Sequence, residues 1–194
     1  MEGRKHTGVV MTLITDGDAA WEQQWHSQPM PAGVDHAVAF RIAPGYDLAG
    51  ATHVAIYETT QDDVAAVAKQ VGEGKGQTTV SFTKFAEYGP VGEGPTAGVV
   101  LVYTDCDDPA EEDSYNEWYT GHLHHTIENI DLYAASRYTS DDPSRTPSKY
   151  LAIYESPSED TAQVQKDGVD WWVKGGFEGP KGMVLRTEVP GTRI

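Results

Sequence analysis

GVVMTLITD at residues 8–16 returns as GVVLVYTD at 98–105, and THVAIYETT at 52–60 returns as SKYLAIYES at 148–156. Inside each copy lies a tryptophan-bearing polar segment, AAWEQQWH (19–26) or DSYNEWYT (113–120). An arginine-bearing apolar run follows it, HAVAFRI (36–42) or YAASRYT (133–139). A period of roughly 90 residues is too long for a solenoid unit, so the chain reads as a duplicated small domain whose halves pack on each other.

Each copy parses as strand, helix, strand, strand, helix, strand. In the second, Gly98–Thr104 is a β-branched run, and a helix is expected from about Glu111 to Glu128. Strands follow over Leu132–Thr139 and Tyr150–Glu155, then a helix capped by Ser156 or Ser158 and running to Val173, then a strand over Met183–Val189. In the first copy, Val64, Val67, Ala68 and Val71 lie at i, i+3, i+4 and i+7 of a helix over Asp62–Val71, and a strand closes the unit near Thr79–Phe85. GPVGEGP (89–95) separates units spanning 7–88 and 96–190. A βαββαβ unit makes a four-stranded antiparallel sheet with both helices on one face, and its bare face needs a cover. Two tandem ferredoxin-like units in one chain cover each other, which predicts an α+β fold: an intrachain pseudo-dimeric α/β barrel.

Composition sets the outer bounds on function. At 194 residues, 39% hydrophobic and 23% charged, the chain has ordinary globular composition. Its net charge of −16 is spread over both copies, so it repels phosphate backbones and anionic lipid, and neither nucleic acid nor a membrane is an expected partner. The single Cys106 has no partner for a disulfide and lies among Asp105, Asp107 and Asp108, which disfavour a thiolate. With no secretory pattern at the start and no apolar run of membrane-spanning length, a soluble cytoplasmic protein is the expectation. The acidic run Asp107, Asp108, Glu111, Glu112, Asp113 lacks the alternating ligands and glycine of an EF-hand and reads as a solvated helix start. GxSxG nucleophile elbows, phosphate loops and dinucleotide fingerprints are absent from the sequence.

Chemistry concentrates in the first helix of the second copy. Tyr115, Trp118, Tyr119, His122 and Thr126 fall at i, i+3, i+4, i+7 and i+11, one stripe facing the sheet or the cleft beside it. An imidazole among aromatic rings loses hydration, which lowers its pKa and keeps it neutral, the state a general base requires. The alternative is a core histidine bonded to a carbonyl. His122 and His125 stand at i, i+3 with Glu128 nearby, but His124 faces elsewhere and no second ligand cluster appears, so no metal is expected. The first copy has QPMPAGVD (28–35) where the second has GHLHHTIENIDL (121–132), and its two prolines cannot continue a helix. A histidine-dependent site would therefore be single. Aligning both Trp25 with Trp118 and Arg41 with Arg137 requires the first copy to be three residues shorter in between, and the two arginines are read either as ligand anchors or as structural cations. Trp171 and Trp172 are adjacent on the last helix and point different ways, placing at least one at a pocket mouth or an inter-unit contact.

The stretch NEWYTGHLHHTIENIDLYAASRYTS (116–140) resembles the dimeric α/β-barrel superfamily, specifically its EthD-like and related small-molecule branches. In these, a W-Y-x-x-H helix precedes a small-residue strand ending Arg-Tyr. Trp118, Tyr119, His122, Arg137 and Tyr138 fall on those places, while the acidic residue that often precedes the histidine is Gly121 here. The resemblance implies a small-molecule ligand, apolar and aromatic or polyketide-like. The expected catalytic set is His122, Tyr119 and Arg137, with Trp118, Tyr115, His125, Tyr138 and Trp172 as substrate contacts. It further implies proton transfer leading to dehydration, isomerisation or cofactor-free oxygenation, with no cofactor. A non-catalytic binder, or a heme protein with His122 or His125 as axial ligand, is the alternative. A homodimer through the outer helices is left open.

Overall fold

β-branched and aromatic runs bounded by Gly, Pro and Asp form the strands, and the polar segments between them form the helices. The first copy comprises β1 (Gly8–Ile14), α1 (Ala19–Trp25), β2 (His36–Ile42), β3 (His53–Thr59), α2 (Val64–Val71) and β4 (Gln77–Tyr88). The second comprises β5 (Gly98–Cys106), α3 (Glu112–Asn129), β6 (Ala134–Ser140), β7 (Tyr150–Ser156), α4 (Thr161–Gly175) and β8 (Met183–Arg193). This computed structural model describes residues 5–194. Its two βαββαβ units match the expected order, with local differences. Asp160 rather than a serine caps α4, accepting from the Gln163 amide at 3.2 Å, and β8 runs to Arg193 rather than ending at Val189.

All neighbouring strands pair antiparallel, in the closed order β1-β3-β2-β8-β5-β7-β6-β4. Each unit contributes a 4-1-3-2 sheet, and β2–β8 and β4–β6 pairs join the two into one barrel. Alternation then divides the side chains between two faces. Val9, Met11 and Leu13 of β1 meet Val99, Leu101 and Tyr103 of β5 in the lumen. Val10 faces outward under α2, and Val100 and Val102 face outward under α3 and α4. Each sheet's bare face is thus covered by the other sheet, as the duplication requires.

Gly8 and Gly98 occupy equivalent places, opposite Thr59 and Ser156. Both sit where the second helix of the unit starts against the first strand. A Cβ on Gly98 would stand 2.0 Å from Thr161 Cγ2 and 2.9 Å from the Gly191 carbonyl oxygen, and one on Gly8 would stand 2.5 Å from the Phe82 oxygen. Backbone is the obstacle at both, so the strand must shift. Gly98→Ala should cost about 2 kcal/mol, in the range of overpacked cores, readable as a lowered denaturant midpoint. An unchanged midpoint would mean that helix and strand are not in this close contact.

The first copy diverges where the sequence lost its histidine segment. The α1 helix stops at Trp25, and Trp21 and Trp25 pack on the sheet, with Trp25 edge-on to Tyr57 at 5.6 Å. Glu22 anchors this short helix by accepting from Arg41 Nε at 2.8 Å and pairing with His53 Nε2 at 2.8 Å, and those bonds hold its carboxyl below the usual range.

Strand register corrects the equivalence of the two arginines. Arg137 pairs with Ala152, whose counterpart Ala55 pairs with Ala39, whereas Arg41 pairs with His53 at the strand end. Arg41 is therefore displaced by two residues, a shift that preserves the face and so leaves the alternation pattern unchanged. It is a surface ion-pair partner while Arg137 is core.

Candidate functional site

In the second copy α3 is long enough to stand away from α4, and the two helices wall a cavity of about 410 Å³ over the outward face of the sheet. Val100, Val102 and Tyr154 form its floor, Tyr119, His122 and Thr126 come from α3, and Val164, Gly168, Trp171 and Trp172 come from α4. Val169 and Leu185 line it while 42% and 51% exposed, so it opens to solvent there. The size and apolar character suit a small organic ligand. Ion pairs brace one end: Lys181 bonds Asp108 and Glu111, and Arg186 bonds Asp105 and Asp107, tying β8 and the turn before it to the segment entering α3.

His122 lies among indoles. Its ring is nearly parallel to Trp118 at 4.9 Å and to Trp171 at 6.1 Å, and edge-on to Trp172 at 5.0 Å. Desolvation by these rings, assisted by the charge of His125, lowers its pKa to about 4. The imidazole is thus neutral throughout the physiological range. Thr126 holds it: the threonine hydroxyl oxygen lies 2.9 Å from the His122 carbonyl oxygen and 3.0 Å from Nε2 of the ring. The hydroxyl's one proton serves either the carbonyl or the ring, so the contact fixes the ring's position and not its tautomer. Burial pushes the Tyr154 hydroxyl up to about 12 against the opposing bonds with Tyr119 and Thr126, so it stays a neutral phenol.

The expected residues divide by location. His122, Tyr119 and Trp172 line the cavity, and Trp118 stacks on His122 from behind it. Trp171 lines it as well as Trp172: adjacent helical residues about 100° apart can flank one cavity, so both tryptophans belong to the site. The remainder require correction. Arg137 is 1% exposed and lies between the sheet and α3, beside the cavity, its guanidinium 4.3 Å from the Tyr119 ring centroid and donating to Asn116 O at 3.1 Å and Oδ1 at 3.0 Å. It touches the cavity only through Tyr119. Tyr115 is fully buried beside it, bonded to Thr104 at 2.6 Å. Tyr138 follows Arg137 by one residue and therefore faces the lumen, where its hydroxyl meets His6 Nε2 at 2.7 Å. His125 is exposed on the outer side of α3.

Sequence reading missed Glu188 and Gln165. Along β8 the pairing with β5 passes from Leu185↔Thr104 to Thr187↔Tyr103, a bulge at Arg186. Met183 and Leu185 face the cavity, and the bulge turns Thr187 inward and brings Glu188 onto the cavity side. Strict alternation would have turned Glu188 into the lumen. Burial raises its pKa, opposed by a bond from Gln165 Nε2 at 2.6 Å. Among the described residues no group of three or more His, Cys, Asp or Glu side chains gathers as a metal would need, and no helix is long and apolar enough to cross a membrane.

No protein-family model and no curated relative matches the chain. Solved structures do. An anthrone oxidase-like protein superposes with a TM-score of 0.54 at 11% identity, over 98% of this chain and 92% of that one. A monooxygenase-like protein from Listeria innocua gives 0.53 at 13% identity, over 96% and 95%. A protein described as a major regulator of staphylococcal pathogenesis gives 0.54 at 12% identity, over 96% and 99%. At these identities the likeness is one of fold, and it spans both units: the chain has the dimeric α/β-barrel fold, with two ferredoxin-like halves in one polypeptide.

Proposed function

We propose that the chain is a small-molecule enzyme in which His122 abstracts a proton from carbon next to a carbonyl or hydroxyl of an uncharged, mostly apolar substrate, aromatic or polyketide-like. The observation that carries this reading is a neutral imidazole, held in place by Thr126, on the wall of an apolar cavity of about 410 Å³. The unprotonated ring nitrogen takes the proton, the Tyr119 and Tyr154 hydroxyls offer donors to the oxygen that gains charge, and the indoles exclude water. Proton removal of this kind begins dehydration, isomerisation and cofactor-free oxygenation alike. The names of the anthrone oxidase-like and monooxygenase-like neighbours accord with it.

A ligand-binding protein without chemistry is the second reading, favoured by the bond that already satisfies Nε2 of His122. A heme-binding role fits these residues poorly. A porphyrin brings two propionates, yet neither Lys nor Arg is among the lining residues, and Glu188 is.

The pH profile separates base catalysis from binding. An unperturbed imidazole loses its base form below about 6.5. Because the pKa of His122 is depressed to about 4, kcat/KM should hold down to about pH 4 and fall below it. Folding follows the same sign: the unfolded chain takes up this proton near 6.5 and the folded one only near 4, so stability present above 6.5 declines as pH falls between them. Trp118→Ala, which rehydrates the ring, should move the acid limb upward. An acid limb that is the same in both proteins would assign it to another group.

A further inference from the structure

We infer that Glu188 is the acid that completes the reaction, making the cavity a dehydratase site for uncharged β-hydroxy ketones. The inference rests on His122 acting as the base. Glu188 is the one charged side chain among the cavity-lining residues, and it comes from β8, whereas His122 comes from α3. These elements belong to opposite ends of the unit, since the strand order is β8-β5-β7-β6 and α3 packs on β6. A ligand in the cavity is therefore flanked by a base from one side and a carboxyl from the other.

The carboxyl is positioned rather than loose. Tyr46 donates its hydroxyl to Gln165 Oε1 at 2.8 Å, and Gln165 Nε2 then donates to Glu188 Oε2 at 2.6 Å. Tyr46 lies in the loop joining β2 and β3, so the first copy, without a histidine segment of its own, supplies the outer end of a relay that ends in the second copy's cavity. The amide engages one carboxyl oxygen and leaves the other to carry a proton toward the cavity. With no Lys or Arg among the lining residues, an ionised Glu188 is disfavoured in this apolar wall, and for the same reason a carboxylate-bearing ligand would be desolvated without a partner.

The chemistry balances without an oxidant. The unprotonated nitrogen of His122 removes the proton α to the ketone, the electron pair forms the new C=C bond, and the β C–O bond breaks. The departing hydroxide takes the Glu188 proton and leaves as water. The products are an enone and water, and transfer of the proton from imidazolium to carboxylate restores both groups. Tyr46 and Gln165 are positioning residues.

Two probes separate this inference from the proposal beneath it. The first is the aldol of naphthaldehyde and acetone, a β-hydroxy ketone whose dehydration product absorbs in the near ultraviolet. The second is anthrone, whose methylene hydrogens exchange with solvent deuterium through the base alone. Wild type should both dehydrate the aldol and exchange anthrone, and Glu188→Gln should lose roughly 10²-fold in kcat for the aldol, a far larger loss than it shows in anthrone exchange. Tyr46→Phe, which leaves the cavity wall intact, should lower kcat for the aldol by about tenfold with KM unchanged. If wild type exchanges anthrone but leaves the aldol intact, or if Glu188→Gln dehydrates it as fast as wild type, the inference is overturned and His122 as a base survives. If anthrone exchange itself is absent, both fall.

Discussion

Replacing His122 by alanine should leave the affinity for a neutral aromatic ligand such as naphthol within a few-fold of wild type and remove at least about 10²-fold of turnover. Binding survives because the ligand meets mainly the indoles of Trp171 and Trp172, Tyr119 and the aliphatic floor, all of which remain. Turnover does not, because nothing else on the wall is a neutral base: the Tyr154 phenol, at about 12, keeps its proton, and burial favours the protonated form of Glu188. His122→Gln fills the space without supplying a base. A binding protein would lose little with glutamine in either respect. Parental turnover by both variants would remove His122 from the mechanism and leave the cavity as a binding site.

Arg137 should show the opposite pattern, with a large effect on stability and a small one on chemistry. Among the described residues it is a buried cation without a carboxylate partner, held by two bonds to Asn116 and by the faces of Phe85, Tyr115, Tyr119 and Tyr150 at 4.8, 5.3, 4.3 and 5.5 Å. Truncation to alanine opens a cavity under Tyr119 and strands Asn116 Oδ1, while the Asn116 carbonyl keeps the Thr120 hydroxyl at 2.8 Å. The expected loss is about 3 kcal/mol, a fall in Tm on the order of 10 °C for a chain of this size. Arg137→Met keeps the stem and removes the charge, so it should recover much of that loss, and kcat should stay within a few-fold because the guanidinium reaches the ligand only through Tyr119. A loss of kcat in Arg137→Met with unchanged Tm would restore Arg137 to the catalytic group.

Particular residues show what could be read from sequence. The repeat of GVVMTLITD as GVVLVYTD gave each strand a second occurrence, and the α3 stripe of Tyr115, Trp118, Tyr119, His122 and Thr126 follows from helical spacing alone. Both survive into the structure because they depend on local geometry. Tyr138 and Arg137 were grouped by a motif although successive strand residues face opposite sides, and alternation could have separated them. Glu188 is different. Its place depends on a bulge at Arg186, which arises from the pairing of β8 with β5 some 80 residues earlier in the chain, and no local pattern announces it. The Tyr46–Gln165 bond, between residues 119 apart, is likewise a product of the assembled barrel.

The most direct test of a base in this cavity is the rate at which wild-type protein exchanges the methylene hydrogens of anthrone for deuterium, followed at pH 7 beside buffer and heat-denatured protein. Exchange well above both controls, saturating with anthrone and retained down to about pH 5, is the result expected of a buried imidazole whose pKa is about 4. Exchange equal to buffer while anthrone quenches the cavity tryptophans would contradict the account, leaving a pocket that binds without abstracting a proton.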